Sequence, residues 1–186
     1  MESDKTSIAG AIHDLQARLG SIRIAVTAVV GLDLDEETES MMLTSAAEET
    51  VRASAELACV GALMKCFLDE SEPAACDIAA ALDEAAQAAR MANLDVRTAA
   101  NGGATVNAAT ARLQAGLPAL IRLVSGAGNA VVASVTPDGD RIRLSIRREG
   151  PDAEALPPIA GYLVDALGGE FEADDEGVTF SLAAVR

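Results

Sequence analysis

Tryptophan is absent, and one tyrosine and three phenylalanines are the only aromatic residues, 2% of the chain. With 50% hydrophobic residues and so few rings, the core has to be filled by Ala, Val, Leu and Ile, a composition that suits closely packed helices. Basic residues are scarce as well, 14 against 29 acidic ones, for a net charge of −15. Nucleic acid and anionic membrane surfaces both demand a basic patch, so both are excluded as partners. Proteins with a locally basic face stay open. No apolar run is long enough to span a membrane, because Asp14, Arg18 and Arg23 interrupt the most promising stretch. The opening 1-MESDKTS-7 is polar and acidic and does not read as a secretory leader, so a cytoplasmic location is expected. Cysteine occurs three times (Cys59, Cys66, Cys76), an odd count without CxxC spacing, and histidine once. A metal centre would run short of ligands, and the cysteines read as buried, reduced thiols. At 186 residues the chain can bury a real core, as one domain or two small ones.

The apolar residues Ile8, Ile12, Leu15, Leu19, Ile22, Val26 and Val29 follow spacings of 4, 3, 4, 3, 4 and 3, a heptad seam on one long helix. Acidic 33-DLDEETE-39 then connects to a second helix, roughly 37–69, with its acids favourable in the first turn. That helix carries a seam at Leu43, Ala47, Thr50, Ser54, Leu57, Gly61, Met64 and Leu68, and a second row at Val51, Ala58 and Ala62. Two long helices with wide apolar faces and a short connection predict an antiparallel hairpin. A hairpin alone cannot bury both faces, and a second copy would complete a four-helix bundle around a two-fold axis.

Residues 70–77 (ESEPAACD) read as a linker without period. Beyond it the pattern predicts a helix at 78–92, a strand at 94–100, a turn at 101-NGG-103 and a helix at 108–126 containing Pro118. Strands 130–135 and 141–147 flank the turn 136-TPDGD-140, a helix near 156–167 stops at Gly168-Gly169, and two strands close the chain. The expected architecture is α+β: a helical hairpin (1–70), a linker (71–77), then an α/β sandwich (78–186) with helices on one face of a mostly antiparallel sheet. Two smaller patterns have plain readings. In 125-SGAGN-129 the glycines mark a helix-to-strand turn and match no phosphate-binding fingerprint. Arg141, Arg143 and Arg147 alternate on one strand and form its polar face.

In the first heptad frame Ile12 is at a, so His13 falls at b, beside the seam and facing solvent. A surface histidine without a task is the plain reading. Three features raise it to a candidate nucleophile: it is unique, it adjoins Asp14, and it projects from a rigid scaffold. An exposed neutral imidazole attacks well when one nitrogen is free and the other is held, and a neighbouring carboxylate can orient the ring. Phosphoryl transfer to that nitrogen needs an in-line approach, an open surface and Mg²⁺ supplied by the partner.

A two-helix hairpin with His-Asp-Leu on its first helix, followed by an α/β sandwich, resembles a two-component histidine kinase. That family's histidine box reads His-acid-Leu-Arg-x-Pro-Leu. In 13-HDLQARL-19, His13, Asp14, Leu15 and Leu19 match, while Gln16 and Arg18 depart. Ala17 stands where the family often has Thr or Asn, so a phosphatase activity is not implied. The nucleotide-binding half departs further. Segment 117-LPALIRLVSGA-127 has none of the family's asparagines, and 148-REGPD-152 replaces Asp-x-Gly-x-Gly. Arg148 therefore stands where the adenine-recognising Asp belongs, and guanidinium has no acceptor for the adenine amino group. Eight residues between Gly150 and Ile159 are too few for the family's ATP lid.

A dimeric histidine hairpin joined to a degenerate, lidless kinase domain is similar to the ChpT-type histidine phosphotransferases. The resemblance implies a phosphorelay role without ATP binding, in which His13 passes phosphate between the aspartates of response-regulator receiver domains. Gln16, Ala17 and Arg18 would meet the receiver, Asp14 would orient His13, the chain itself would bind no cofactor, and Mg²⁺ would come with the receiver. The alternatives are a non-catalytic adaptor or inhibitor that binds a histidine kinase or receiver through the bundle, and a divergent active kinase. Loss of the Asn, the Asp and the lid together argues against the last.

Overall fold

The 4-3 spacing of the first thirty residues folds as one helix, α1 (Glu2–Gly31), in the computed structural model, which describes residues 2–100, 103–126, 128–149, 156–174 and 177–185. A four-residue connection leads into α2 (Glu36–Leu68). Asp35 caps α2: its carboxylate accepts from the Thr38 amide (2.8 Å) and hydroxyl (2.9 Å). Glu36, Glu37 and Glu39 in the first turn and Lys65 in the last complement the helix dipole. The two helices pack antiparallel as the expected hairpin.

Strand β1 (Ala74–Asp77) lies inside the stretch read from the sequence as an aperiodic linker. It pairs antiparallel with β3 (Thr105–Ala108), which the sequence reading placed in a loop and the start of a helix. Between them come α3 (Ile78–Met91) and β2 (Val96–Ala100). Then follow α4 (Thr110–Ser125), β4 (Ala130–Asp138), β5 (Arg141–Glu149), α5 (Ile159–Ala166), β6 (Glu170–Asp174) and β7 (Gly177–Ala183). The main sheet has the order β2-β4-β5-β7-β6, with β2–β4 parallel and the other pairs antiparallel. Helices α3, α4 and α5 cover one face, onto which Val131, Ala133, Val135, Leu144, Ile146, Val178, Phe180 and Leu182 point as buried residues. On the other face Arg143 pairs with Asp138 (2.9 Å) and Arg141 with Glu170.

The β4–β5 turn is tighter than expected. Asp138 pairs with Arg141, leaving Gly139 (φ +67°) and Asp140 as a two-residue loop, and Pro137 sits in the strand. Helix α4 runs through Pro118, whose missing N–H leaves the Gln114 carbonyl without its usual helical donor, on an exposed turn. After Ser125 the chain turns through Gly126 and Gly128, both at positive φ, and the Ser125 hydroxyl donates to the Asn129 carbonyl (3.0 Å), as the turn reading expects. Residues 101–102 of the NGG turn, 150–155, which include part of the segment expected to be too short for a lid, and 175–176 lie outside the described residues. All three cysteines are buried and free. Among the described residues no helix is long and apolar enough to cross a membrane.

Candidate functional site

The hairpin sets where each α1 side chain points. Ala11, Leu15, Arg18, Ile22, Ala25 and Val29 form the half-buried row facing α2, and α2 answers with Ala46, Glu49, Ala53, Glu56 and Val60. One residue further along a helix is about 100° further round. His13, two positions beyond Ala11, is therefore turned about 200° from α2 and stands outward, exposed, as its heptad position predicts. Gln16 and Ala17 share that exposed outer surface.

Asp14 takes a different direction from His13. It lines a cleft of about 130 Å³ with Gly10 and Ala11 of its own helix, Glu56 of α2, and Pro157, Pro158, Ile159 and Tyr162 at the start of α5. Successive helical residues do not face each other, so the carboxylate meets the sandwich while the imidazole meets solvent. Arg18 is drawn inward. Its Nε donates to Glu56 Oε1 and its Nη1 to Glu49 Oε2, both at 2.8 Å, and Arg52 adds a 3.0 Å bond to Glu49. The structure thus separates the five sequence candidates: His13, Gln16 and Ala17 on the outer surface, Asp14 in the cleft, Arg18 in an ion-pair network.

The carboxylates of that network respond oppositely. Burial pushes Glu56 above its ordinary value, further than the adjacent Arg18 guanidinium can pull it down, and the charges of Asp14 and Glu49 add to the rise. Glu49, less buried and bonded to Arg18 and Arg52, is held below its ordinary value. The sequence reading missed Glu49, Glu56, Tyr162 and the Pro157–Pro158 pair as neighbours of the histidine turn. The one local signal was the seven-residue spacing of Glu49 and Glu56, which puts two acids on one helix face.

The seam read from α1 splits in two. Leu15, Ile22 and Val29 are half-buried against α2, whereas Ile12, Leu19 and Val26 are 42%, 53% and 45% exposed; of Ile8 only the backbone is described. The seam read from α2 is exposed along its length, with Leu57 at 57% and Met64 at 51%. Each exposed row follows its contact row by one position, and on antiparallel helices that places both on the same side of the hairpin. An apolar stripe therefore runs down one side, next to the histidine face. Among the described residues no three His, Cys, Asp or Glu side chains are grouped to hold a metal.

No family model matches the sequence, and a search of curated proteins finds no relative. Solved structures do match. The Acinetobacter baumannii histidine kinase AdeS superposes over 94% of this chain and 98% of its own, at 14% identity and a TM-score of 0.54. The ATP-binding domain of PrrB from Mycobacterium tuberculosis covers 61% of this chain and 97% of its own, at 18% identity and TM-score 0.47. Histidine kinase ThkA, solved in complex with the response regulator TrrA, covers 95% of this chain and 62% of its own, at 17% identity and TM-score 0.47. The AdeS match spans hairpin and sandwich together, and the chain has a histidine-kinase-like fold.

Proposed function

We propose that this protein is a histidine phosphotransferase of a two-component phosphorelay, in which His13 accepts a phosphoryl group from an aspartyl-phosphate on one receiver domain and yields it to another. The observation that carries this reading is the exposure of the chain's only imidazole on the outer face of α1, in a histidine-kinase-like fold. The imidazole nitrogen attacks phosphorus, the phosphorus–oxygen bond to the aspartate breaks, and the aspartate leaves as carboxylate. The ring then sheds a proton, for which Asp14 is the adjacent acceptor after a rotamer change. Mg²⁺ belongs to the receiver and would neutralise the phosphoryl oxygens during transfer. Gln16 and Ala17 border the partner's contact, and Arg18 supports it from within.

Three features support transfer without nucleotide: Arg148 in place of an adenine-binding Asp, the short β5–α5 connection, and close packing between α4 and α5. At Gly116 of α4 a Cβ would come within 2.8 Å of Leu167. The apolar stripe supports a homodimer with a four-helix bundle, since isolated apolar rows of this length belong in an interface. The test is direct. Incubated with a phosphorylated receiver and Mg²⁺, the protein should acquire acid-labile phosphate, the His13→Gln variant should acquire none, and ATP alone should label neither. Equal labelling of the variant would remove His13 from the reaction. An unlabelled wild type that still binds the receiver would leave an adaptor.

A further inference from the structure

We propose that α2 locks the sandwich onto the hairpin, so that the sandwich does not swing relative to His13 and the outer side of α4 stays closed. This concerns the scaffold and holds whether or not His13 carries phosphate.

The lock is built from one continuous helix with two duties. Toward α1, α2 presents Ala46, Glu49, Ala53, Glu56 and Val60. Toward the sandwich it presents Ala55, Cys59, Ala62 and Cys66, spaced 4, 3 and 4, with fully buried Leu63 beside them. These residues belong to the same hydrophobic core as Leu113, Leu117 and Leu120 of α4 and Ile159 and Leu163 of α5. The two helices run antiparallel in matched register. Cys59 Sγ lies 3.5 Å from the Ala119 carbonyl and Cys66 Sγ 4.0 Å from that of Arg112, so seven residues on one helix answer seven on the other.

The far end is fastened by Arg112. Its Nη2 donates to the Asp69 carbonyl at 2.8 Å and its Nε to the Asp69 carboxylate at 3.2 Å, which ties the last turn of α2 to the first turn of α4. At the near end α5 packs against both α1 and α2, with Ile159 and Leu163 in the shared core. A swing of the sandwich would have to peel the second half of α2 from α4 or break the helix near its middle. Peeling strips a row of buried apolar side chains and leaves the facing sides of α2 and α4 in water. A partner meeting His13 therefore finds α1 and α5 in one fixed relation.

The native thiols report on this. Burial pushes the Cys59 thiol up to about 12, so at neutral pH it stays protonated and unreactive while α2 is seated. In the full chain, labelling by an aromatic disulfide, resolved by peptide mass spectrometry, is compared with the global unfolding rate from circular dichroism at the same denaturant concentrations. Cys59 and Cys66 should label within tenfold of the rate that global unfolding allows, with the same denaturant dependence. Labelling of both more than tenfold faster, with a weaker denaturant dependence, would show the helix lifting from α4 in the folded protein and would overturn the lock.

Discussion

Arg18 of α1 and Glu56 of α2, 38 residues apart in sequence, are joined at 2.8 Å where the hairpin meets the sandwich, and Glu56 is only 4% exposed. The guanidinium spans two carboxylates, so each acid is partly neutralised by a charge on the other helix. Such a pair is weak evidence for net stability, but breaking it from one side is expensive because a charge is left stranded.

Arg18→Ala should therefore destabilise the protein by about 2–3 kcal/mol, less than for a fully buried pair because the Arg18 side chain is 27% exposed. Glu56→Gln, which keeps a hydrogen-bonding side chain and removes the buried charge, should lose about 1 kcal/mol or less. Urea unfolding of the two variants measures the difference, and equal losses would mean that the charge at position 56 is immaterial.

The pH dependence of the second variant has a defined sign. Burial raises Glu56 above its ordinary value, so the fold favours its protonated form. That contribution is fully present below the unfolded carboxyl range, about 4.3, and fades as pH rises through the raised folded value. Glutamine stays neutral throughout, so Glu56→Gln should gain in melting temperature relative to the parent between pH 4 and pH 8. Glu49, held low, works the other way, contributing stability above the carboxyl range that is lost on acidification. It is present in both proteins and cancels from the comparison to first order.

Leu57→Glu should yield a monomer. Leu57 sits mid-stripe and does not face α1, so an acid there leaves the chain folded and places like charges at a two-fold contact. Light scattering should give about half the parent's mass; a parent that is itself monomeric at tens of micromolar would remove the dimer from the reading.

Asp14→Asn should slow phosphoryl transfer to His13 by less than about 10²-fold, the lower end of what a positioned base contributes, because the carboxylate has to leave the cleft by a rotamer change before it can act. Its exposure predicts little change in melting temperature. Rates from a labelled receiver decide it, and an unchanged rate would leave the carboxylate to the cleft alone.

Two glycines should respond in opposite ways to alanine. At Gly177 a Cβ would stand 2.1 Å from the Ile146 carbonyl oxygen and 2.8 Å from Arg147 Cα, so the β5–β7 pair would have to separate, at a cost of about 3 kcal/mol or more. At Gly61 nothing lies within 4 Å, and Gly61→Ala in mid-helix should stabilise the monomer by up to about 1 kcal/mol. Thermal unfolding of both variants checks the contrast.

The heptad spacing of α1 made the hairpin readable, and the b position of His13 made its exposure readable, because both depend on periodicity alone. The apolar rows of α2 were also visible, but spacing cannot say which row meets which neighbour. The Leu43–Leu68 row reads as core and is exposed. Of the second row read from the spacing, Val51 is exposed and only Ala62 belongs to the set that lies against α4: Ala55, Cys59, Ala62 and Cys66. Strands β1 and β3, four residues each, carry too little alternation to stand out from a loop; they are held by pairing with each other across 27 intervening residues or more. Arg18 reads as an exposed cation beside the histidine turn because its two partners lie 31 and 38 residues downstream.

Helix α2 has no idle face between Ala53 and Cys66: one side meets α1, one meets α4, and the third carries the apolar stripe. Nearly every substitution there should register, so this segment has little room to drift. The outer surface of α1 is the reverse, for Gln16 and Ala17 bear no packing duty. Substitutions at those two positions should leave the scaffold that presents the imidazole untouched.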